Sequence, residues 1–380
     1  MKKLSSIVVM FVLLLTASRV PAREAPHELQ KDFNVSDGGS LVVRVDGSDI
    51  LVRVWNKSQV QMNVENIGDD ADRVKAEQNG NTVTVEYRSR GGLWSSSSDV
   101  KFDFYVPSKF NLELTTSGGD ISTSGAISGA VSLTTSGGDL HVDDVNGKVE
   151  GQTSGGDVTV NHVSSDSRFS SSGGDIKVEQ AGANLELSTS GGDIKTGTVG
   201  GNLKAYTAGG DVNVGRVGGE LHVSTSSGDV TVGNVGKSAA ISTSGGDISM
   251  RSGGGNVDAN TSGGDIDIQR AVGSVHAISS GGTVKAGLTP KGSGTSRLTS
   301  TGGDVYLYLP ADARATIEAE VFGAASDNSI ESDFPMTLQG DIGNFGNRKA
   351  EIVINGGGQK IDLRTTSGSI YVKKMGSHEN

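Results

Sequence analysis

The sequence predicts an all-β fold: a parallel β-helix (β-solenoid) of 18-residue coils, two short strands per coil, with β-rich caps at both ends. Three observations carry this. The first is a motif built on Ser-Gly-Gly-Asp followed by Ile, Val or Leu. Its turn aspartates are Asp120, Asp139, Asp157, Asp175, Asp193, Asp211, Asp229, Asp247 and Asp265, eighteen residues apart after a first interval of nineteen; Thr283 takes the next slot, and Asp304 follows a three-residue insertion. A fixed period of this size marks stacked units, each unable to bury its apolar face without a neighbour. The second is a weaker period of nine. The run 191–199 is followed by a half-copy, 200–208, with Asn202 in the slot of Asp193. Each half is one short strand and one turn. The third is the placement of rings: between Asn111 and Asp304 only Phe169 and Tyr206 occur, while eight aromatic residues from Phe33 to Phe110 and six from Tyr306 to Tyr371 crowd the two flanks. Slim coils with small inward side chains leave no room for rings, but the ends of a solenoid must be plugged.

In chain order, Lys2 and Lys3 precede an apolar run from Ile7 to Leu15 that is too short to span a bilayer, and Val20-Pro21-Ala22 offers a small-residue cleavage site. Residues 1–22 therefore read as a signal peptide. Residues 23–110 read as an N-terminal cap. Period-two alternation marks strands at Ser40–Val45, Ile50–Val54, Gln59–Val64, Thr82–Tyr87 and Val100–Val106, with Asp46 to Asp49 as a turn and Gly91–Ser98 as a loop. Residues 111–310 hold the repeats. Alternation sends Ile176, Ile194, Val212, Val230, Ile248 and Ile266 inward as one column, Val178, Thr196, Val214, Val232, Met250 and Ile268 as the next, and Leu185, Leu203, Leu221, Ala239, Val257 and Val275 as a third from the opposite strand. Thr189 and its equivalents close the coil near the turn. Glycine pairs every nine residues exclude a helix, at about 1 kcal/mol each relative to Ala, and are expected to supply positive φ at the corners. Residues 311–380 read as the C-terminal cap and last coils. An irregular stretch runs from Pro310 to Asn347, strands resume at Ile352 and Ile361, and Thr366-Ser367-Gly368-Ser369-Ile370-Tyr371-Val372 echoes the repeat.

Composition fits a thin rod. Gly is 57 of 380 residues, about twice ordinary usage, and the glycines are periodic. The formal charge of −11 becomes −14 once Lys2, Lys3 and Arg19 leave with the signal segment, which argues against nucleic acid and anionic membrane surfaces as partners. There is no cysteine, so neither a disulfide nor a lipoprotein anchor is expected, and no second apolar stretch reaches transmembrane length.

The aspartate column needs an account, because carboxylates stacked every ~4.8 Å repel by roughly 1 kcal/mol per neighbour even in water. The expected account is that each carboxylate accepts backbone N–H groups within its own turn. The alternative is a ladder of calcium sites resembling a β-roll; against it, the Gly-x-Asp portion of the β-roll nonapeptide is missing, and the facing half-turns carry a mixture from Lys148 to Ser274. His27-Glu28 lacks a second histidine at Lys31. His222 and His276 share a column but lie three coils apart, and Asp69, Asp70 and Asp72 read as an exposed acidic turn. No catalytic, cofactor-binding or metal-binding residues are assigned, and no cofactor is expected. A glycan-processing β-helix enzyme would need a groove with clustered carboxylates and aromatic platforms, so it ranks last.

The early strands around Leu41-Val42-Val43 and Ile50-Leu51-Val52-Arg53-Val54-Trp55, the Thr-Ser-Gly-Gly-Asp-Ile coils and the closing Thr-Ser-Gly-Ser-Ile together resemble the bacterial putative-adhesin, β-strand-repeat family, over nearly the whole chain beyond the signal segment. The resemblance implies an extracytoplasmic β-solenoid, with adhesion suggested by shape and no established catalytic residues. The expected function is thus a non-catalytic, adhesin-like or structural module of the bacterial envelope: periplasmic, cell-surface or secreted, and meeting an unknown protein or glycan partner. The aromatic-rich caps, including the loop around Trp94, are the expected contact regions.

Overall fold

A computed structural model describes residues 28–89, 100–292, 294–323, 328–339 and 346–376. Residues 1–22, expected to be a signal peptide, His27 and the expected loop around Trp94 lie outside the described residues. The chain is an all-β solenoid whose described residues form two sheets of eighteen strands each. In the coil 192–209, Ile194–Val199 lies in one sheet (sheet A) and Leu203–Tyr206 in the other (sheet B). Stacking is parallel and in step: Ile194 sits between Ile176 and Val212, and Leu203 between Leu185 and Leu221. The three inward columns expected from alternation are all buried. Two more join them, Ala181-Val199-Val217-Val235 from sheet A and Leu187-Ala205-Val223-Ile241 from sheet B, so each coil closes on aliphatic side chains from both strands.

The repeat glycines are required for a different reason from the expected one. None of the Gly-Gly turn residues from Gly118 to Gly282 has positive φ. The second glycine of each pair instead lies flat against the coil before it. A Cβ on Gly174 would stand 2.1 Å from the carbonyl oxygen of Gly156, and one on Gly192 2.2 Å from that of Gly174, whereas the first glycine of the pair is roomier, 3.6 Å at Gly173. Close backbone approach, rather than a left-handed corner, excludes side chains there. Left-handed glycines in the described repeat region lie outside these turn pairs, at Gly125 (φ 89°), Gly273 (φ 125°) and Gly292 (φ 90°); Gly125 stands between the short strands Ile121–Ser124 and Ala126–Ile127. Leu140 pairs with Ile121, nineteen residues back, but Asp144 pairs with Ala126, eighteen back. The extra residue of the first interval is absorbed at Gly125 and the columns resume.

A ring does enter the central coils. Phe169 is fully buried, and the space comes from Gly151, directly opposite it on the next strand, where a Cβ would lie 2.7 Å from the phenyl ring. A large side chain in one coil is matched by the smallest in its neighbour.

Both ends depart from sequential stacking in the same way. Gly39–Val45 and Asp49–Trp55 do not pair with each other; they are the two sides of one coil. That coil is held between 82–87/101–107 outside and 110–116/121–124 inside. At the far end, Gln359–Thr365 and Ile370–Lys374 slide between 296–300/305–309 inside and 315–321/330–332 outside. The tail completes a coil, as its echo of the repeat predicts. The stretch expected to be irregular contains the outermost parallel strand of sheet B, Ala315–Val321, whose Ala315, Ile317, Ala319 and Val321 alternate inward despite two alanines of low β-propensity. Antiparallel strands cover both ends: 59–65 and 28–34 beyond 101–107, 75–79 on 82–87, and 348–354 with 337–339 beyond 315–321. In both sheets at the N-terminal end and in sheet B at the C-terminal end they replace the parallel edge that would otherwise template further stacking; among the described residues sheet A ends there on the parallel strand 330–332. Phe102, Phe104, Phe110 and Tyr87 fill the N-terminal end as buried plugs.

Candidate functional site

The repeated polar residues come first, since any column of them could be a site. Each turn aspartate reaches forward to the next coil rather than into its own turn. The amide of Asp193 donates to Asp175 Oδ1 at 2.8 Å, and that of Asp211 donates to Asp193 Oδ1 at 2.8 Å. The ladder begins at Asp49, which accepts from the Asp120 amide at 3.0 Å, and runs to Asp265, which accepts from Thr283 at 2.7 Å; Asp304 repeats the bond with Ser369 at 2.7 Å. Coils rise by about one strand spacing, so the neighbour's amide is within closer reach of the carboxylate than a group in the same turn. One anionic acceptor per N–H offsets the like-charge repulsion along the column.

The threonine column does a second joining task. Thr189 Oγ1 donates to Gly174 O at 2.9 Å in the preceding coil and accepts from Gly192 N at 3.3 Å in its own. The same pair of bonds recurs from Thr135 to Thr261, with Ser171 and Ser279 as variants. On the facing turn a partial ladder runs from Asp166 to Asn184 to Asn202 to Glu220.

The remaining candidates separate. His222 and His276 are divided by Ala240 and Asp258 in one column of sheet B; His222 packs on Tyr206 instead, with ring centroids 5.5 Å apart. His162 Nδ1 lies 2.7 Å from Asp144 Oδ1. Asp69, Asp70 and Asp72 sit on the 3-10 turn 68–73, where Asp70 pairs with Arg73 at 3.5 Å and receives the Tyr87 hydroxyl at 3.4 Å. Among the described residues no three His, Asp or Glu side chains are placed to hold a metal ion.

What the structure brings together is aromatic. On the outer face of sheet A, among the described residues, Trp and Tyr rings cluster at the two ends and none lies between. At the N-terminal end Trp55 and Tyr105 stand 5.3 Å apart, Lys57 lies 4.4 Å over the indole, and Arg53 bridges Tyr105 (Nη1 to hydroxyl, 3.1 Å) and the Asp103 carboxylate. Burial raises the Asp103 pKa above its ordinary value, more than the Arg53 charge and hydrogen bond lower it. At the C-terminal end Tyr306 and Tyr371 face each other across neighbouring strands, 4.6 Å apart and 13° from parallel, with Tyr308 6.4 Å from Tyr306. Partial burial, the Asp304 charge and the adjoining Tyr371 push the Tyr306 phenol up to about 12, so it stays a hydrogen-bond donor throughout the physiological range. The clusters lie eleven strand spacings apart, roughly 50 Å. The signal for them was in the sequence. In Val305-Tyr306-Leu307-Tyr308-Leu309 alternation already turns both tyrosines outward, while the caps as a whole read as plugs.

No curated protein matches the chain. Among solved structures it is similar to a putative cell adhesion protein from Clostridium sporogenes (8% identity, 92% of this chain and 100% of that one, TM-score 0.17). It is also similar to a putative adhesin from Bacteroides fragilis (10%, 93% and 99%, TM-score 0.23) and to a putative lipid binding protein from Parabacteroides distasonis (13%, 93% and 98%, TM-score 0.25). The model of the Toastrack DUF4097 family matches twice, over residues 39–219 and 202–373, which together take in the coils and both intercalated ends. The chain belongs to the Toastrack DUF4097 family.

Proposed function

We propose that this chain is an exported, non-catalytic β-solenoid of the bacterial cell envelope, an adhesin-like or structural module that holds contact surfaces apart on a stiff rod. Residues 1–22 direct export, 23–110 and 311–380 cap the rod, and 111–310 set its length. The observation that carries this reading is the division of labour among polar and aromatic residues. In the central coils the turn aspartates and threonines are spent on coil-to-coil hydrogen bonds, whereas outward rings of the kind enriched at binding surfaces occur on sheet A only at its two ends.

Two readouts on one preparation test it. Cells expressing the full chain with a C-terminal tag should deliver it outside the cytoplasm with Arg23 as its first residue. The purified mature chain should co-sediment with cell-envelope material, and a Trp55→Ala/Tyr306→Ala/Tyr371→Ala variant that keeps its β-sheet circular dichroism should not. Cytoplasmic retention of the uncut chain would refute export, and equal sedimentation of the folded triple variant would refute the end surfaces.

A further inference from the structure

The outer face of sheet A is basic over its central coils, although the chain as a whole carries a formal charge of −11. Across the outward positions of the five strands from 194–199 to 266–273 stand Lys195, Arg216, Arg251 and Arg270 against a single acid, Asp267. Among the described residues none of these four cations forms an ion pair, whereas one and two coils earlier Lys177 is held by Glu179 and Arg168 by Glu186. Arg216 and Arg251 stand two strand spacings apart, roughly 10 Å along the rod.

Both guanidinium groups border an open groove of about 680 Å³ on this face. Its floor is backbone. Gly197, Gly215 and Gly233 stack in register with Arg251, and a Cβ on Gly233 would stand 2.1 Å from the Gly215 carbonyl oxygen, so the coils lie flat against each other there. Asn213 and Thr231 flank the floor on one side and Asn234 on the other. Their side chains make no hydrogen bond among the described residues, in contrast to Asn161, which donates to Asp143 at 2.9 Å. No carboxylate lines the groove. The turn aspartates lie beyond Asn213 and Thr231, and the Oδ1 atoms of Asp211 and Asp229 accept amides of the next coil.

We propose that this groove binds an acidic glycan, a linear sugar chain with carboxylates at intervals, laid along the rod. Glycine lets a ligand approach the backbone closely, so the apolar C–H face of a sugar ring can rest on the floor while its hydroxyl groups meet the free amides and hydroxyls beside it. The planar guanidinium forks of Arg216 and Arg251 match carboxylates in bidentate fashion. A nucleic acid fits less well, since the groove offers no ring for a base to stack on and the rest of the rod is acidic. The groove is separate from the end surfaces proposed to meet the envelope, and its ligand is a soluble one.

The test is calorimetric titration of the chain made without residues 1–22, using oligogalacturonate, its neutral methyl ester and inorganic polyphosphate. The acid should bind more tightly than the ester. Arg216→Gln and Arg251→Gln should each weaken the acid about tenfold or more, the double variant should bind acid and ester alike, and Arg251→Lys should fall between Arg251→Gln and wild type. Asn213→Ala should weaken acid and ester equally, about fivefold. Lys204→Gln, a cation removed from the outer face of sheet B, should bind as wild type. All five substitutions are on exposed side chains, and unchanged melting confirms that the coils are intact. Absence of oligogalacturonate binding by the wild-type chain, or wild-type affinity in the double variant, overturns the proposal. So does polyphosphate binding as tight as that of the acid, which would make the face a general anion surface. Envelope sedimentation without oligogalacturonate binding defeats the groove alone. A double variant that loses both oligogalacturonate and sedimentation upholds the groove and defeats the assignment of envelope contact to the ends.

Discussion

The central coils and the end coils solve the same packing problem by different means. In the centre every coil has its sequence neighbours as its spatial neighbours, and one residue type performs one task at each level: aspartate accepts the next amide, threonine joins two turns, and the second glycine lets backbones touch. At the ends the repetition stops. The first and last coils are inserted beneath their sequence neighbours, antiparallel strands replace parallel ones, and aromatic rings fill the interior and appear on the outer face of sheet A. A regular stack needs no information beyond one coil, while a terminus needs particular long-range contacts. Freedom to carry a surface unlike its neighbours therefore belongs to the ends.

That contrast can be broken most severely at a glycine. Gly174→Val in the centre should cost about 3 kcal/mol or more, read as a urea midpoint shift, because its Cβ would meet the Gly156 carbonyl at 2.1 Å and neither backbone can retreat without parting two coils. Gly173→Ala next to it, with 3.6 Å to its nearest neighbour, should change stability by under about 0.5 kcal/mol. Equal shifts would mean that the pair serves the turn and not the contact between coils.

A single substitution made twice gives the next effect, with opposite signs. Thr189→Val removes a buried hydroxyl that both donates and accepts, and leaves the Gly192 amide without its partner; it should cost about 2 kcal/mol. Thr196→Val removes a buried hydroxyl with no hydrogen-bond partner and should raise stability by about 1 kcal/mol in the same assay. A loss at both positions would contradict the assignment of bonded and unbonded hydroxyls.

The smallest effect concerns the aspartate ladder. Asp193→Leu deprives the Asp211 amide of its acceptor and should cost about 1 kcal/mol, while Asp193→Asn keeps an acceptor oxygen and relieves repulsion from Asp175 and Asp211, so it should be nearly neutral. Chelator treatment should leave the melting temperature within a few degrees, because the amides and not a cation hold the carboxylates. A rise of ten degrees or more with millimolar calcium, lost in Asp193→Asn, would restore the β-roll alternative.

Alternation and the spacing of turns made the coil period, the inward columns and the outward polar positions readable from the residues alone, since each depends only on neighbours one or two apart. The direction of the aspartate bond was not readable: an amide in the same turn and one eighteen residues on present the same chemistry, and only the rise per coil selects the second. The glycine pairs misled for a related reason, because positive φ and close backbone approach both demand Gly. The order of coils at the ends was hidden as well. Gly39–Val45 can pair with either 82–87 or 110–116, and in the fold it pairs with both, a choice settled by which coil face remains uncovered. The outward turn of Tyr306 and Tyr308 was legible, but their meeting with Tyr371, 65 residues on from Tyr306, required that order.

The central claim is that the repeats set length while the ends carry the contact surface, and deletion of residues 192–209 tests it most directly. The cut joins Gly191 to Gly210-Asp211 and so restores a complete turn motif. The shortened chain, made without residues 1–22, should melt within a few degrees of its undeleted counterpart and sediment with envelope material to the same extent, because each coil touches only its neighbours. A folded deletion protein that no longer sediments would place the contact surface in the central coils, and one that aggregates as a nine-residue deletion of 192–200 should would contradict the coil itself.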